Sequence, residues 1–223
     1  MPPIARVCVK FSAYDYKDYG KNVFTGDVAD SFLKKHGASG DLLKDPSWPK
    51  TSADTVAAAV SDWAIANGAG EGFSYTHWHQ PMGASNVRPG LTGQVHNKVI
   101  NFDAKTNKVR VEFKGKNLIM GETDGSSFPN GGLRATHSAG GYLHIDTSSP
   151  IFLRGDTVFI PSVFASYHGA ALCEKLPLLR SNAALDSEGK RLMSLLGSPT
   201  EEVFASIGLE QEIFFVPRAD YLR

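Results

Sequence analysis

The sequence has few cysteines, and this scarcity excludes two kinds of structure. Only two occur among 223 residues, Cys8 and Cys173, and they lie far apart in dissimilar surroundings. They form neither a disulfide framework nor a Cys-x-x-Cys spacing for a metal or redox site. We therefore predict a reducing compartment and a cytoplasmic location.

The chain also lacks an excess of charge of either sign. Lys plus Arg total 23 and Asp plus Glu total 23, so there is neither a basic surplus for nucleic acid nor an acidic tail. No apolar run approaches the roughly 20 residues that cross a bilayer, and the first residues show no secretory pattern. The composition predicts a globular protein with no nucleic-acid or membrane partner.

Several familiar catalytic signatures are missing. There is no Walker loop, no Gly-x-Gly-x-x-Gly fingerprint and no Gly-x-Ser-x-Gly elbow to present a nucleophile. His77 and His79 could bind zinc from one face of a strand, which leaves a metal-dependent hydrolase open as an alternative. No third ligand is evident nearby.

Periodicity divides the chain into a helical part, a sheet and a further helix. Apolar spacing predicts a helix over residues 28–36 with Asp27 as its cap, a linker over 37–50, and a helix over 53–68. Alternating or β-branched stretches predict a small sheet, with strands over residues 73–78, 94–102, 108–113, 141–145 and 157–165. A last helix over 182–196 would bury a leucine stripe, which comprises Leu185, Leu192, Leu195 and Leu196.

The apolar stretch Gly208–Val216 predicts a strand that carries a pair of carboxylates. In a strand, Glu210 and Glu212 would point to the same face. At roughly 4 to 7 Å in an effective dielectric near 20 they would repel by about 2 to 4 kcal/mol. A hard divalent cation would offset that repulsion, because Mg²⁺ takes carboxylate oxygens as ligands. The alternative is a solvated strand face.

The most polar tight segment is residues 121–134, which is rich in Gly, Ser, Asp and Asn. This composition predicts ordered turns, and loops on a rigid sheet are where binding residues concentrate. A plain connection and a binding loop both fit the pattern.

Ordered motifs from about Tyr19 onward resemble those of type III glutamine synthetases. They comprise Asp62-Trp63-Ala64-Ile65, Thr76-His77-Trp78-His79-Gln80-Pro81, residues 121–136, Thr147-Ser148-Ser149-Pro150, Pro177-Leu178-Leu179-Arg180-Ser181 and Gly208-Leu209-Glu210-Gln211-Glu212. Leu209 departs from the family pattern, in which Pro is usual at that place, and His79 stands where Phe is common.

The resemblance implies an α+β fold in three parts. These are a helical N-terminal extension over residues 1–71, a β-grasp domain with a small sheet over 72–168, and the beginning of the glutamine synthetase catalytic α/β domain over 169–223. Because no strand follows the carboxylate pair to complete a sheet, we expect the chain to be truncated inside that domain. In this family active sites form between adjacent subunits of stacked rings, which implies a homo-oligomer for the full-length protein.

The resemblance also implies a reaction, the ATP-dependent ligation of ammonia to L-glutamate through a γ-glutamyl phosphate. Mg²⁺ or Mn²⁺ would be the cofactor, with Glu210 and Glu212 as metal ligands and ATP as co-substrate. Asp124 would be the catalytic carboxylate at a neighbouring subunit's ammonium pocket, and Ser126, Ser127 and Arg134 would shape that loop or interface.

The other metal ligands, the ATP cleft and the substrate-binding arginines of the family have no counterpart in this sequence. We therefore expect the isolated chain to be inactive. The alternative is a non-catalytic β-grasp module that binds a glutamine synthetase ring and assembles or regulates it.

Overall fold

A computed structural model describes residues 22–78, 96–121, 141–166, 168–173, 175–208, 210 and 212–221. The chain divides into two compact units, Met1–Leu176 and Pro177–Arg223. Helices and a mostly antiparallel sheet make this an α+β protein. The three-part domain division at residues 71 and 168 stays a prediction. None of the helices in the described residues is long and apolar enough to span a bilayer.

The first unit opens, in its described part, with a short strand and three helices. These are β1 (Val23–Phe24), α1 (Gly26–Leu33), α2 (Trp48–Thr51) and α3 (Ala53–Ala64). Helix α1 begins one residue before the predicted cap Asp27, because Thr25 takes the extended N-cap conformation. The predicted linker is also wrong in part. It contains a 3₁₀ turn at Gly40–Lys44 and the start of α2, because the indole of Trp48 is buried.

Helix α3 matches its predicted periodicity. Val56, Ala59, Val60 and Trp63 are fully buried, and a π turn over Ile65–Ala69 extends the helix to the predicted glycine stop. Gly68 there adopts a positive φ of 88°, which a residue without Cβ tolerates at little cost.

Seven strands form a mixed sheet. Besides β1 they are β2 (Ser74–Trp78), β3 (His96–Lys98), β6 (Met120–Gly121), β7 (Gly141–Ile145), β8 (Ile151–Arg154) and β9 (Thr157–Ser166). The main order is β1-β8-β9-β2-β3, in which β2 and β9 are parallel and the other neighbours antiparallel. The C-terminal half of β9, residues 162–166, pairs with β7, and β7 in turn pairs with β6.

One face of this sheet packs on the helices. Phe73, Tyr75, Val158 and Ile160 lie in one buried cluster with the apolar side of α3. The alternate residues of the strands point to the other face, where Trp78 meets Phe152 edge-on at 5.5 Å between ring centroids and Phe152 stacks on Phe159 at 5.0 Å. The predicted strands over 73–78, 141–145 and 157–165 therefore lie in this sheet, and the predicted strand over 94–102 contributes β3 to it. The rest of that strand, Ile100–Asp103, and the strand predicted over 108–113 lie outside the sheet. Strands β1, β6 and β8 were not predicted.

A separate two-stranded hairpin follows β3, formed by β4 (Ile100–Asp103) and β5 (Lys108–Val111). Helix α4 (Gly115–Ile119) comes next and packs closely on α3. A Cβ on Gly115 would lie 2.6 Å from Cβ of Ala53, and the Gly115 N–H donates to Oδ1 of Asp54 at 2.7 Å. Helix α4 was not predicted, since five residues are too few to show a helical period.

Helix α5 (Lys175–Leu195) starts at the last residues of the first unit and continues into the second. It begins seven residues before the predicted start and ends at Leu195, one residue before the predicted end. The predicted stop, Gly197, has a positive φ of 76°. The predicted burial of its leucines is wrong, because no residue of α5 is buried. Leu185, Leu192, Leu195 and Leu196 are 43%, 56%, 75% and 68% exposed.

After α5 the second unit holds only one more helix, α6 (Arg218–Tyr221), among its described residues. The segment folds back on α5, where the Val203 N–H donates to Oδ1 of Asp186 at 2.8 Å. The predicted carboxylate strand is wrong, because residues 210 and 212–217 form no strand. A strand needs a neighbour for its backbone hydrogen bonds, and no described strand lies beside this one.

Candidate functional site

Four of the predicted site residues lie outside the described residues. These are Asp124, Ser126, Ser127 and Arg134, all in the segment 122–140, and His79 of the zinc alternative also lies outside them. The name polar segment is used from here on for residues 122–140, which include most of the polar stretch 121–134. The structure shows how the fold holds the two ends of this segment.

The polar segment connects two paired strands. It follows Gly121 at the end of β6 and precedes Gly141 at the start of β7. The antiparallel register matches Met120 with His144 and Gly121 with Leu143, and β7 in turn pairs with the long strand β9. Both ends of the segment are therefore tied to the central sheet.

Gly121 is fixed further by the buried ring of His77. A Cβ at position 121 would lie 2.6 Å from Cγ of His77, which real Cβ atoms do not tolerate. The His77 side chain is 2% exposed and its Nε2 lies 3.1 Å from the carbonyl oxygen of Leu118. A histidine of β2 and a glycine of β6 thus fit together where the polar segment begins.

The surroundings of His77 keep its imidazole neutral. Burial, with a smaller contribution from His144, lowers the pKa of His77 from 6.5 to about 4 and outweighs the opposing effect of the hydrogen bond to Leu118. An imidazole nitrogen facing a carbonyl oxygen must carry a proton, so Nε2 donates to Leu118 and cannot bind a metal. In this tautomer Nδ1 keeps its lone pair, and His79 lies outside the described residues, so the zinc hydrolase alternative stays a hypothesis. The described residues contain no group of three metal-ligating side chains.

A cavity of about 540 Å³ opens beside α1 and the end of β7. Its apolar wall includes Phe24, Leu43 and Trp48. Its polar wall holds four carboxylates and one ammonium, namely Asp27, Asp30, Asp41, Asp146 and Lys44. The sequence reading did not identify this cavity.

The buried member of this polar wall is Asp146, which is 5% exposed. Its Oδ1 accepts from the Ser148 N–H at 3.0 Å and from the Ser148 hydroxyl at 2.5 Å. Its Oδ2 accepts from the Ser149 hydroxyl at 2.6 Å and pairs with Nζ of Lys175 at 2.5 Å. Thr147-Ser148-Ser149-Pro150 is therefore a turn wrapped around a carboxylate, and an Asp followed by Thr-Ser-Ser was its sequence signal.

Electrostatics favour the ionised form of Asp146. Burial raises the pKa of this carboxyl, but the hydrogen bonds from Lys175, Ser148 and Ser149 together outweigh burial, and the pKa falls below its ordinary value. The pair with Lys175 is consequently charged at neutral pH and joins the turn to the first residue of α5.

Glu210 and Glu212 lie in the second unit, and both are exposed. Their apolar neighbours Ile213, Phe214 and Phe215 are also exposed, at 70%, 93% and 95%. Two solvated carboxylates repel weakly because water screens them. The repulsion that the strand reading inferred therefore does not by itself require a cation here.

Comparisons with known proteins cover most of the chain. The family model described as "Glutamine synthetase type III N terminal" matches residues 15–181. The chain is 37% identical over 217 residues to a type-3 glutamine synthetase of Dictyostelium discoideum, an alignment that covers 94% of this chain and 28% of that protein. It is 39% identical over 206 residues to a glutamine synthetase of Bacteroides fragilis, covering 91% and 27%.

The chain thus spans little more than a quarter of the length of these two relatives. A glutamine synthetase of Butyrivibrio fibrisolvens is 37% identical over 82 residues, which is 36% of this chain and 12% of that protein. The first unit carries most of the family match, and the match ends at residue 181 in α5.

Proposed function

Because this chain belongs to the family of type III glutamine synthetase N-terminal domains, we propose that it serves the ATP-dependent ligation of ammonia to L-glutamate within a longer glutamine synthetase. The observation that carries this proposal is the family match over residues 15–181. The two long alignments to proteins named glutamine synthetase support it. A γ-glutamyl phosphate would be the intermediate, as the family resemblance implies.

The fold of the first unit suits a β-grasp assignment. Its central strands β2 and β9 are parallel and are flanked by antiparallel neighbours, and one face carries helices. We propose that this sheet presents the polar segment 122–140 to an adjacent subunit of a homo-oligomeric ring in the cytoplasm. The pairing of β6 with β7 supports that role, because it fixes both ends of the segment.

Within that segment the proposed catalytic residue is Asp124. A carboxylate attracts ammonium and can accept the proton that must leave before the nitrogen attacks an acyl phosphate. Ser126, Ser127 and Arg134 would shape the same loop or the subunit interface. His77 and Gly121 pack together at the point from which the segment leaves the sheet.

The metal proposal rests on donor chemistry. Glu210 and Glu212 offer the oxygen ligands that Mg²⁺ and Mn²⁺ take, and both are exposed and accessible. Their oxygen atoms are the type of ligand that these ions take, although the described residues supply no third ligand near them. When bound, such an ion would neutralise the phosphates of ATP, and the two glutamates of this chain would hold it.

The proposal is tested in a full-length synthetase that contains this chain. Asp124→Ala should lower kcat about 10²-fold or more, as expected for loss of a group that accepts a proton. Glu212→Gln should raise the Mg²⁺ concentration needed for half-maximal activity. The matched controls Glu71→Gln and Glu201→Gln change exposed carboxylates and should leave both quantities unchanged. Full activity of Asp124→Ala would refute the catalytic role.

The isolated chain should release no phosphate from ATP in the presence of glutamate, ammonia and Mg²⁺. The physical reason is that two carboxylates and one loop cannot bind a nucleotide, two substrates and the metal together. Glutamate- and ammonia-dependent phosphate release by the purified 223-residue chain would contradict this expectation.

A second candidate is a non-catalytic module that binds a glutamine synthetase ring. The exposed apolar side chains of the second unit favour it, because exposed apolar patches mark contact sites. Those on its terminal segment include Phe204, Ile207, Phe214 and Phe215. This candidate predicts that the chain co-sediments with an intact synthetase and changes its kcat, whereas the ligase proposal predicts no effect on kcat.

A further inference from the structure

The β4–β5 hairpin carries an apolar face that is open to solvent. Its register places Ile100 opposite Val111 and Phe102 opposite Val109, and directly opposed residues share a face. These four side chains are 47%, 54%, 64% and 66% exposed in the order Ile100, Val111, Phe102, Val109. A two-stranded hairpin is marginally stable by itself in water, so a partner for this face would stabilise it.

The hairpin and its flanks are strongly basic. Residues 96–116 contain six Lys or Arg residues and two carboxylates. One of those carboxylates, Asp103, is held by Arg110 on the opposite face of the hairpin, and the other, Glu112, pairs with Lys114 at 2.9 Å. Lys98 pairs with Asp156 at 3.3 Å, and the register places Lys108 and Arg110 on the face opposite the apolar one. The hairpin region as a whole keeps a net positive charge, which would repel a second copy of the hairpin.

The cavity beside α1 has the complementary character. Its apolar wall includes Phe24, Leu43 and Trp48, and carboxylates dominate its polar wall. Its volume of about 540 Å³ lies within the range of clefts that enclose whole small ligands, so it can accept two apolar side chains from a hairpin.

The carboxylates at this cavity differ in their availability. Asp146 is buried and committed to Lys175. Asp41 pairs with Lys44 at 2.7 Å, but both side chains are about 80% exposed, and exposed pairs contribute little and exchange readily. Asp27 is exposed in the first turn of α1. Asp27 and Asp41 are therefore the carboxylates that incoming lysines can reach.

Hairpin and cavity lie at opposite edges of the sheet. The cavity is lined by residues of β1 and its turn, and the hairpin follows β3. Strands β1 and β3 are the two ends of the five-strand order, which puts them about 19 Å apart at the usual strand spacing. A hairpin cannot fill the cavity of its own chain at that distance, but it can fill the cavity of a second copy.

We propose that the β4–β5 hairpin of one copy of this chain docks its apolar face into the acidic cavity beside α1 of the next copy. Such a contact joins two different surfaces, so it repeats head to tail and closes into a ring if the rotation between copies permits. This inference deepens the assembly part of the proposed function by naming the surfaces that meet.

Two double variants of the full 223-residue chain test the hairpin surface and the cavity surface separately. Phe102→Asp with Val109→Asp changes the apolar face of the hairpin, and Asp27→Lys with Asp41→Lys changes the cavity. All four positions are exposed, so folding should be preserved, which circular dichroism verifies. Sedimentation velocity from micromolar to ~1 mM protein should show that the parent chain self-associates and that each variant raises the Kd by at least ~tenfold.

Mixing the two variants provides the decisive measurement. The hairpin variant keeps an intact cavity and the cavity variant keeps an intact hairpin, so an equimolar mixture should regain a dimer that neither forms alone. A monomeric parent chain at ~1 mM would overturn the proposal. So would loss of association in only one of the two variants, or a mixture that stays monomeric.

Association through the second unit must be distinguished from this contact. Leu195→Asp changes a side chain that is 75% exposed on α5 and should leave the Kd unchanged, whereas an increase as large as that of the hairpin variant would overturn the proposal. Sedimentation measures the mass of the assembly, and no nucleotide, glutamate or metal is present in the sample. Failure of the docking contact is therefore distinguishable from failure of the ligase proposal, which is read as phosphate release.

Discussion

At the scale of single residues, the fit of Gly121 against His77 decides where the polar segment begins. The ring of His77 is buried between the Leu118 carbonyl and the backbone of Gly121, so a side chain at position 121 and a charge at position 77 are both excluded. Each exclusion gives a measurable consequence.

Gly121→Ala should destabilise the chain by about 1 to 3 kcal/mol, the usual cost of forcing a methyl group into a packed site. The added Cβ would sit 2.6 Å from Cγ of His77. Gly208→Ala is the matched control, since its Cβ would meet nothing within 4 Å. Urea unfolding followed by circular dichroism measures both, and equal unfolding free energies for the two variants would contradict the packing.

His77 should make the chain less stable as the pH falls from about 6.5 to about 4. Its pKa is lowered by burial to about 4 in the fold, against 6.5 when solvated. Over this window the unfolded chain binds a proton that the folded chain does not, so up to about 3 kcal/mol is lost by pH 4.

The test compares urea midpoints at several pH values. His77→Gln keeps a donor for the Leu118 carbonyl and removes the titrating group, so the variant should lose less stability than the parent chain between pH 7 and pH 4. His168→Gln, an exposed position, should follow the parent. Parallel curves for the parent and His77→Gln would disprove the assignment.

At the scale of elements, the turn at residues 146–150 is held to the start of α5 by one ion pair. Asp146 receives two serine hydroxyls, one backbone N–H and the Lys175 ammonium. Both partners are shielded from water, with side-chain exposures of 3% for Asp146 and 22% for Lys175. This pair is therefore the polar contact that matters most to this part of the fold.

Asp146→Asn should lower the free energy of unfolding by about 2 to 4 kcal/mol, because Lys175 keeps its charge but loses its carboxylate. Asp41→Asn removes one member of an exposed pair and should cost less than about 0.5 kcal/mol. Thermal or urea unfolding at pH 7 distinguishes them, and equal losses would show that the buried pair has no special weight.

In the β4–β5 hairpin the sequence pattern and the observed exposure disagree. Its strands alternate between apolar and polar or charged residues, a pattern typical of a strand with one buried face. Both faces are nevertheless exposed in this chain. The mismatch between pattern and exposure is the physical basis for assigning it to a contact between copies.

At the scale of the whole molecule, stability is unevenly divided between the two units. Every buried apolar side chain among the described residues lies between Phe24 and Cys173, within the first unit. Helix α5 has no buried residue, and the described residues of the second unit expose most of their large apolar side chains.

We expect residues 1–176 to unfold cooperatively, with a free energy within about 1 kcal/mol of that of the full chain. This shortened chain keeps both Asp146 and Lys175. Residues 177–223 alone should show no cooperative transition, because fewer than about 50 residues without a core rarely fold. Urea titrations of the three chains measure this, and an unfolded 1–176 would contradict it.

The site was predictable to different degrees at different positions. The polar character of residues 121–134 and the helical period of residues 53–68 follow from composition and spacing, which act locally. The role of Gly121 could not be predicted, because it depends on a ring that lies 44 positions earlier in the chain. The cavity was missed for the same reason, since it joins α1 to a turn more than a hundred residues away.

The sequence by itself determined the α+β class, the main strands and helices, and the family, because periodicity, turn residues and ordered motifs are properties of neighbouring positions. Only the tertiary structure decided which faces are covered. It left the leucines of α5 and the hairpin exposed, showed Glu210 and Glu212 outside any strand, and joined Asp146 to Lys175. Burial and pairing depend on partners far apart in the chain, and amphipathic pattern alone does not identify those partners.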